Sequence, residues 1–197
     1  MPDAVPPLIL ASTSPFRRDL LARLGVPFKT ISPDVDESCH PGETPQQLVQ
    51  RLACDKAAAV AGNLTEGLVI GSDQVAVIDG KILGKPGDHE TARQQLTNAS
   101  GNTVIFYTGL CLVNAATGHQ QVDVVPFHVS FRELSQQQIE NYLQREQPYN
   151  CAGSFKSEGL GISLFQRMQG DDPNTLVGLP LIRLIDMLAQ EGLDILV

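Results

Sequence analysis

Two short stretches of the sequence hold side chains suited to a phosphorylated ligand. In the first, Ser12-Thr13-Ser14 follows the apolar run Leu8-Ile9-Leu10-Ala11 and leads into Arg17-Arg18. Small hydroxyls, the open amides of a helix start and two guanidiniums together make a cradle for phosphate oxygens. In the second, Asp73 stands within Gly71-Ser72-Asp73-Gln74, directly after the apolar Leu68-Val69-Ile70. A carboxylate there can orient a water or take its proton, and ligands of α/β sheets bind beyond the carboxyl ends of strands. Both stretches also have plainer readings: a capped helix with two solvated arginines, and a turn aspartate bonded to local amides. Lys56 and Lys85, taken singly, read as surface lysines.

Other chemistries find little support. Nothing matches G-x-x-x-x-G-K-[ST], and no G-x-G-x-x-G follows a strand. His40, His89, His119 and His128 lie in hydrophilic or alternating contexts and read as surface histidines, which argues against a Ser-His-Asp arrangement. Cys39, Cys54, Cys111 and Cys151 form no C-x-x-C pair, so neither a zinc knuckle nor a redox motif is indicated. They are expected to be reduced and mostly buried.

The elements that must position these groups can be read from periodicity and punctuation. Val5 to Ala11 predicts a buried strand, and Ser14 with Pro15 a capped helix that Gly25 stops. Phe28 to Ser32 predicts a second strand, followed by the acidic Asp34-Val35-Asp36-Glu37. Thr44 and Gln47 are spaced for a capping box at the head of a helix running to about Gly62. The strand at 68–70 is expected to stop at Gly71, with a hairpin around Asp79-Gly80 beyond it. Helices are expected after the caps Asp88 and Ser135 and from about Leu179 to Gln190, with long strands at Thr103 to Val113 and Gln121 to Phe131. Interleaved helices and strands with two hairpins predict a mixed α/β sheet.

Bulk properties narrow the class. With 197 residues, 42% hydrophobic and 18% charged, the chain can bury one sizeable core and is not extensively disordered. A net charge of −8 argues against a nucleic-acid or anionic-membrane partner. The N-terminal stretch Met1 to Pro15 has no basic n-region and only a short apolar run, which predicts a cytoplasmic protein.

Taken together, several segments closely resemble the Maf family of nucleotide pyrophosphatases in order and spacing. They are the run from Leu8 to Arg18, Asp36-Glu37, Lys56-Ala57, Gly71 to Gln74 and Gly84-Lys85-Pro86. Gly153 to Gly159 and Asp172 to Pro180 extend the likeness over nearly the whole chain. The resemblance implies an inosine-triphosphatase-like α/β fold, a mixed twisted sheet with helices forming two lobes around a cleft, as one domain over 1–197 and usually a homodimer. It also implies cleavage of a nucleoside triphosphate to the monophosphate and pyrophosphate with a divalent cation (Mg, Mn or Co). Carried onto this chain, the general base falls on Asp73. Arg17, Arg18, Lys56, Lys85 and the hydroxyl of Ser12 would hold phosphates, and Glu37 would help Asp73 hold the metal.

The subgroups of the family differ at the positions of Phe16, Gln74 and Glu158. Members of the dTTP/UTP type have Arg, Thr and Gln there; this chain departs at all three and is similar to the subgroup assigned to 7-methyl-GTP. That subgroup commonly has tryptophan where Phe16 stands, so the aromatic character is kept. Physical chemistry points the same way, because N7 methylation makes the guanine ring cationic and an aromatic face attracts a cation. A carboxylate at Glu158 can accept from both N1–H and N2–H₂ of guanine. Competing readings are a core-packed Phe16 with a solvated Glu158, a broader pyrophosphatase for dTTP, UTP or other modified nucleotides, and a nucleotide-binding regulator of septum formation.

Overall fold

The computed structural model describes residues 6–197, so Val5, assigned above to the first strand, lies outside them. Strand β1 (Leu8–Ala11) is fully buried and pairs in parallel with β2 (Phe28–Ile31) on one side and β3 (Leu68–Ile78) on the other. Between β1 and β2 lies α1 (Pro15–Ala22), which starts as predicted: the Ser14 hydroxyl accepts the Arg17 N–H and Pro15 occupies the first turn. Helix α2 (Pro45–Ala61) opens with the expected capping box, Thr44 N–H donating to Gln47 Oε1 at 2.9 Å and Gln47 N–H to Thr44 Oγ1 at 3.3 Å.

Strand β3 turns at Asp79 (φ 48) and Gly80 (φ 75), the paired positive φ of the predicted tight hairpin, and returns as β4 (Lys81–Leu83). Then come α3 (His89–Ala99) capped by Asp88, β5 (Thr103–Asn114), β6 (Gln120–Phe131) and α4 (Gln136–Glu146) capped by Ser135. Strand β7 (Phe165–Gln169), the short α5 (Asn174–Val177) and α6 (Leu181–Gln190) complete the order. Among the described residues the sheet has seven strands in the order β2-β1-β3-β5-β6-β7, with β4 on β3, and it is mixed as expected. No helix among the described residues is long and apolar enough to cross a membrane.

Two expectations need correcting. The strand at 68–70 does not stop at Gly71: Gly71-Ser72-Asp73-Gln74 is the middle of an eleven-residue strand. Small and polar residues there resemble a turn locally, but sheet pairing and a helix packed on one face decide otherwise. The glycine-punctuated stretch from Gly153 also contains a strand, β7, whose residues after Phe165 are exposed, so it lacks the alternation that would have marked it.

The chain divides into two compact units. The first comprises the residues up to Gln74, Thr108–Val125 and Val177–Val197. Here alternation along the strands sorts the core. Leu8, Leu10, Leu68 and Ile70 pack with Leu20 and Leu21 of α1 and Leu184 and Leu188 of α6. Ile9, Ala11 and Val69 pack with Ala53, Ala57 and Val60 of α2. Helix α2 lies unusually close to the sheet because the facing positions are glycines. A methyl group on Gly71 would overlap the Ala53 carbonyl oxygen and come within 2.8 Å of the Ala57 nitrogen; one on Gly109 of β5 would overlap the Val49 carbonyl.

The second unit, Val75–Tyr107 and Pro126–Leu176, has its own core under α3 and α4. Phe106, Phe131, Phe155 and Phe165 meet edge to face there, with ring centroids 4.8 to 5.5 Å apart. His89 is more than a surface histidine: its ring bridges Tyr149 Oη (3.0 Å) and the Glu140 carboxylate (2.9 Å), tying α3 to α4.

All four cysteines are free thiols, but only Cys111 is buried. A hydrogen bond from Cys111 lowers the Cys54 pKa to about 7, while the same bond and burial push Cys111 up. Alkylation of Cys54 is therefore expected to reach half its maximal rate near pH 7, with Cys111 resistant. Peptide mass spectrometry after timed iodoacetamide treatment reads this; equal labelling of Cys111 would contradict the thiol pairing.

Candidate active site

Strand alternation puts Gly71 and Asp73 on the face of β3 that α2 covers, and Ser72 and Gln74 on the opposite face. Lys56 is the residue before Ala57, at the point where α2 lies against Gly71. The close approach delivers its ammonium to Asp73: Lys56 Nζ is 2.7 Å from Asp73 Oδ1 and 2.6 Å from Glu37 Oε1. The Lys56 side chain is only 7% exposed and that of Asp73 13%, whereas Glu37 is 62% exposed. Lys56 is thus no surface lysine, and a buried ammonium held between carboxylates is a costly arrangement that a bare scaffold does not need.

The parallel register explains why Asp73 is still near strand ends. Leu10 pairs with Ile70 and Ala11 with Ile31, so β1 and β2 both terminate level with Gly71 of β3. Asp73 therefore lies just beyond the carboxyl ends of the parallel strands β1 and β2, although its own strand continues.

Arg17 approaches the same charges from α1. Burial holds its pKa below the ordinary arginine value, and the Asp73 and Glu37 carboxylates act in the opposite direction. Since the residue keeps some exposed surface, the guanidinium remains charged. Its Nε donates to the Gly178 carbonyl (2.9 Å), which also accepts from the Ser72 hydroxyl (3.0 Å). A side chain at Gly178, where φ is +117, would be strained and would come into contact with Arg17. Two cations and two carboxylates therefore meet in this unit.

The remaining first-unit residues are distributed around this group. Ser12 is buried and its Oγ accepts the Ser14 N–H at 3.1 Å, which leaves the hydroxyl proton for another acceptor. Gln74 Nε2 donates to Thr108 Oγ1 of β5 at 2.9 Å. Arg18 is exposed and pairs with Asp19 at 3.2 Å. Phe16 is 39% exposed and is not packed in the core. In the second unit, Lys85 and Glu158 are both exposed, and Glu158 accepts a hydrogen bond from Ser157.

Sequence reasoning missed Arg51. From α2 its guanidinium forks onto Glu43 (2.7 and 2.9 Å) and donates to the Ser38 carbonyl (2.9 Å), clasping the segment that carries Glu37. The hydrogen bonds from Arg51 hold the Glu43 carboxylate at about 2, so the clasp is fully charged above pH 4.5 and loosens only as pH falls toward 2. Its one-dimensional signal was slight: an Arg and an Asp four residues apart on one helix, with Glu43 eight residues away and outside the helix.

The chain matches the family model for Maf-like protein over residues 7–191. It belongs to the Maf family. A relative from Nitrosococcus oceani named 7-methyl-GTP pyrophosphatase is 61% identical over 197 residues, covering 100% of this chain and 99% of the relative. Proteins of the same name from Pseudomonas syringae pv. tomato (61% over 191 residues; 97% and 100% covered) and Alcanivorax borkumensis (60% over 195 residues; 99% of each) are similarly close. The Glu37–Lys56–Asp73 group is thus a feature of a Maf-family chain with full-length relatives that carry a pyrophosphatase name.

Proposed function

We propose that this protein hydrolyses 7-methyl-GTP to 7-methyl-GMP and pyrophosphate. The observation that carries the substrate is the identity of about 60%, over the full length, to proteins named 7-methyl-GTP pyrophosphatase. The chemistry is supported by the buried ion pair. Lys56 occupies Asp73 Oδ1, and no described residue donates to Oδ2, which leaves that oxygen for a water. Asp73 orients this water toward the α-phosphorus and takes its proton as the bond to the leaving pyrophosphate breaks. Lys56 and Arg17, together with Ser12, Arg18 and Lys85, receive the phosphate oxygens.

The donor set also fits a hard divalent cation such as Mg, Mn or Co. Glu37 and Asp73 already converge on one cationic group, the Lys56 ammonium, with carboxylate oxygens. Among the described residues no cluster of three or more His, Cys, Asp or Glu exists, so phosphate and water would complete the shell. When bound, the ion would offset charge developing on the leaving pyrophosphate. Phe16, Gln74 and Glu158 would read the base, Phe16 by offering an exposed aromatic face to a cationic ring. The family resemblance further supports a homodimer.

The test is a substrate panel at one fixed metal, following pyrophosphate release. Turnover of 7-methyl-GTP is expected to exceed that of dTTP and UTP by at least roughly a hundredfold, since a site built to hydrogen-bond its substrate can discriminate by roughly 10⁴- to 10⁵-fold. Equal or reversed rates would establish the broader pyrophosphatase instead. Nucleotide binding without turnover would favour the regulator.

A further inference from the structure

Glu158 lies in a short loop whose backbone is tied down at both ends by one face of α4. The Lys156 N–H donates to Tyr142 Oη at 3.1 Å, and the Leu160 N–H donates to Glu146 Oε2 at 2.8 Å. Tyr142 and Glu146 are four residues apart and so share that face of the last helical turn. The Lys156 ammonium adds a bond to the Glu146 carbonyl (3.3 Å) and lies 3.6 Å from its carboxylate. The loop also closes on itself, since the Lys156 carbonyl accepts from both Gly159 (3.3 Å) and Gly161 (3.0 Å).

The closure requires glycine at 161 and leaves little room at 159. A methyl group on Gly159 would sit 2.9 Å from both Glu146 carboxylate oxygens, and one on Gly161 would overlap the Lys156 carbonyl oxygen. Tyr142 is buried and the Glu146 side chain is only 18% exposed, while Glu158 at the apex is exposed. The scaffold therefore spends its hydrogen bonds on the loop backbone and leaves the Glu158 carboxylate with just a Ser157 hydroxyl.

We infer that Tyr142 and Glu146 are positioning residues for base selection: they pre-order the 156–161 loop so that Glu158 meets the guanine edge with its backbone already fixed. The inference rests on the proposed role of Glu158 in reading the base. A pre-ordered recognition loop loses less freedom on binding, so releasing an anchor weakens selection without touching the group that activates water.

The test compares kcat/KM for 7-methyl-GTP with that for UTP in Glu146→Ala, Tyr142→Phe, Glu158→Gln and the Glu146→Ala/Glu158→Gln double variant. Each anchor variant is expected to lower the ratio by up to roughly tenfold, the size expected from freeing one ordered side chain. The loss should fall on KM, with kcat on UTP unchanged. In the Glu158→Gln background the Glu146→Ala change should have no further effect on the ratio. A ratio that moves in Glu158→Gln but not in either anchor variant overturns the inference and leaves the reading of Glu158 standing. An equal additional fall in the double variant also overturns it, because the anchor would then act through general stability. If Glu158→Gln itself leaves the ratio unchanged, the base-reading role fails, and the inference with it. Tyr142→Phe keeps the ring packing and removes only the hydroxyl, so it decides the matter if Glu146→Ala does not fold.

Discussion

Asp73→Asn is expected to lower kcat by roughly 10²- to 10⁴-fold, the range for removing a positioned general base, while the protein stays folded. The asparagine is isosteric and keeps an oxygen to accept from Lys56, which also retains Glu37 at 2.6 Å. What disappears is the negative charge and the ability to take a proton. Lys56→Met makes the contrasting control. It removes the cation between the carboxylates, and losing one partner of a buried pair costs up to about 3–5 kcal/mol. The lower end applies here because Glu37 is well exposed. Pyrophosphate release and thermal melting on the two variants separate the roles: activity should collapse in both, stability chiefly in Lys56→Met. A kcat for Asp73→Asn within threefold of the parent would remove Asp73 from the reaction.

Gly71→Ala should be among the most damaging methyl groups that can be added to the first unit, alongside Gly109→Ala. Its Cβ would overlap the Ala53 carbonyl oxygen and approach Ala57 N at 2.8 Å, and both are helix backbone atoms that cannot rotate aside. Helix α2 must therefore lift from the sheet. Overpacking of this kind costs about 1–3 kcal/mol and sometimes more, against a total stability of about 5–15 kcal/mol. For a chain of this length that corresponds to a melting point lower by roughly 2–12 °C. Because Lys56 rides on the displaced turn, any folded fraction should also be catalytically impaired. Gly84→Ala is the control: nothing lies within 4 Å of its added methyl and its φ is not in the left-handed region, so it should melt with the parent. Parent-like stability and activity in Gly71→Ala would mean that close packing of α2 does not position Lys56.

The helix starts were legible because their chemistry is local. Thr44 with Gln47, Ser14 with Pro15, and Asp88 and Ser135 each satisfy amides within three residues, so a short window contains the whole cause. Asp79-Gly80 is legible for the same reason. The continuation of β3 through Gly71-Ser72-Asp73-Gln74 was not. Its causes are distant in sequence: the backbone of α2 against Gly71, the Gly178 carbonyl accepting from Ser72, and Thr108 bonded to Gln74. Strand β7 escaped because an exposed edge carries no burial pattern. At the candidate site, the residue types of Asp73, Lys56 and Glu37 were readable through the family resemblance. That Lys56 is buried and bonded to both carboxylates was not, since it depends on a helix standing on two glycines. Arg51 and the Gly178 carbonyl act through geometry alone and had almost no signal in one dimension.

The unbroken course of β3 has a consequence for how the site can move. A side chain held on a strand between two paired stretches has its own torsions and little more, because the backbone beneath it cannot swing without breaking the pairing before it, with β1 at Leu68 to Ile70, or after it, with β4 at Ala76 to Ile78. Asp73 is in that position. Glu37, by contrast, stands on an exposed segment after β2 that is fastened to α2 through Arg51 and its bonds to Ser38 and Glu43. If these carboxylates form the proposed site, any gating step, such as release of a charged product, would fall to the Glu37 segment and its clasp while Asp73 stays fixed.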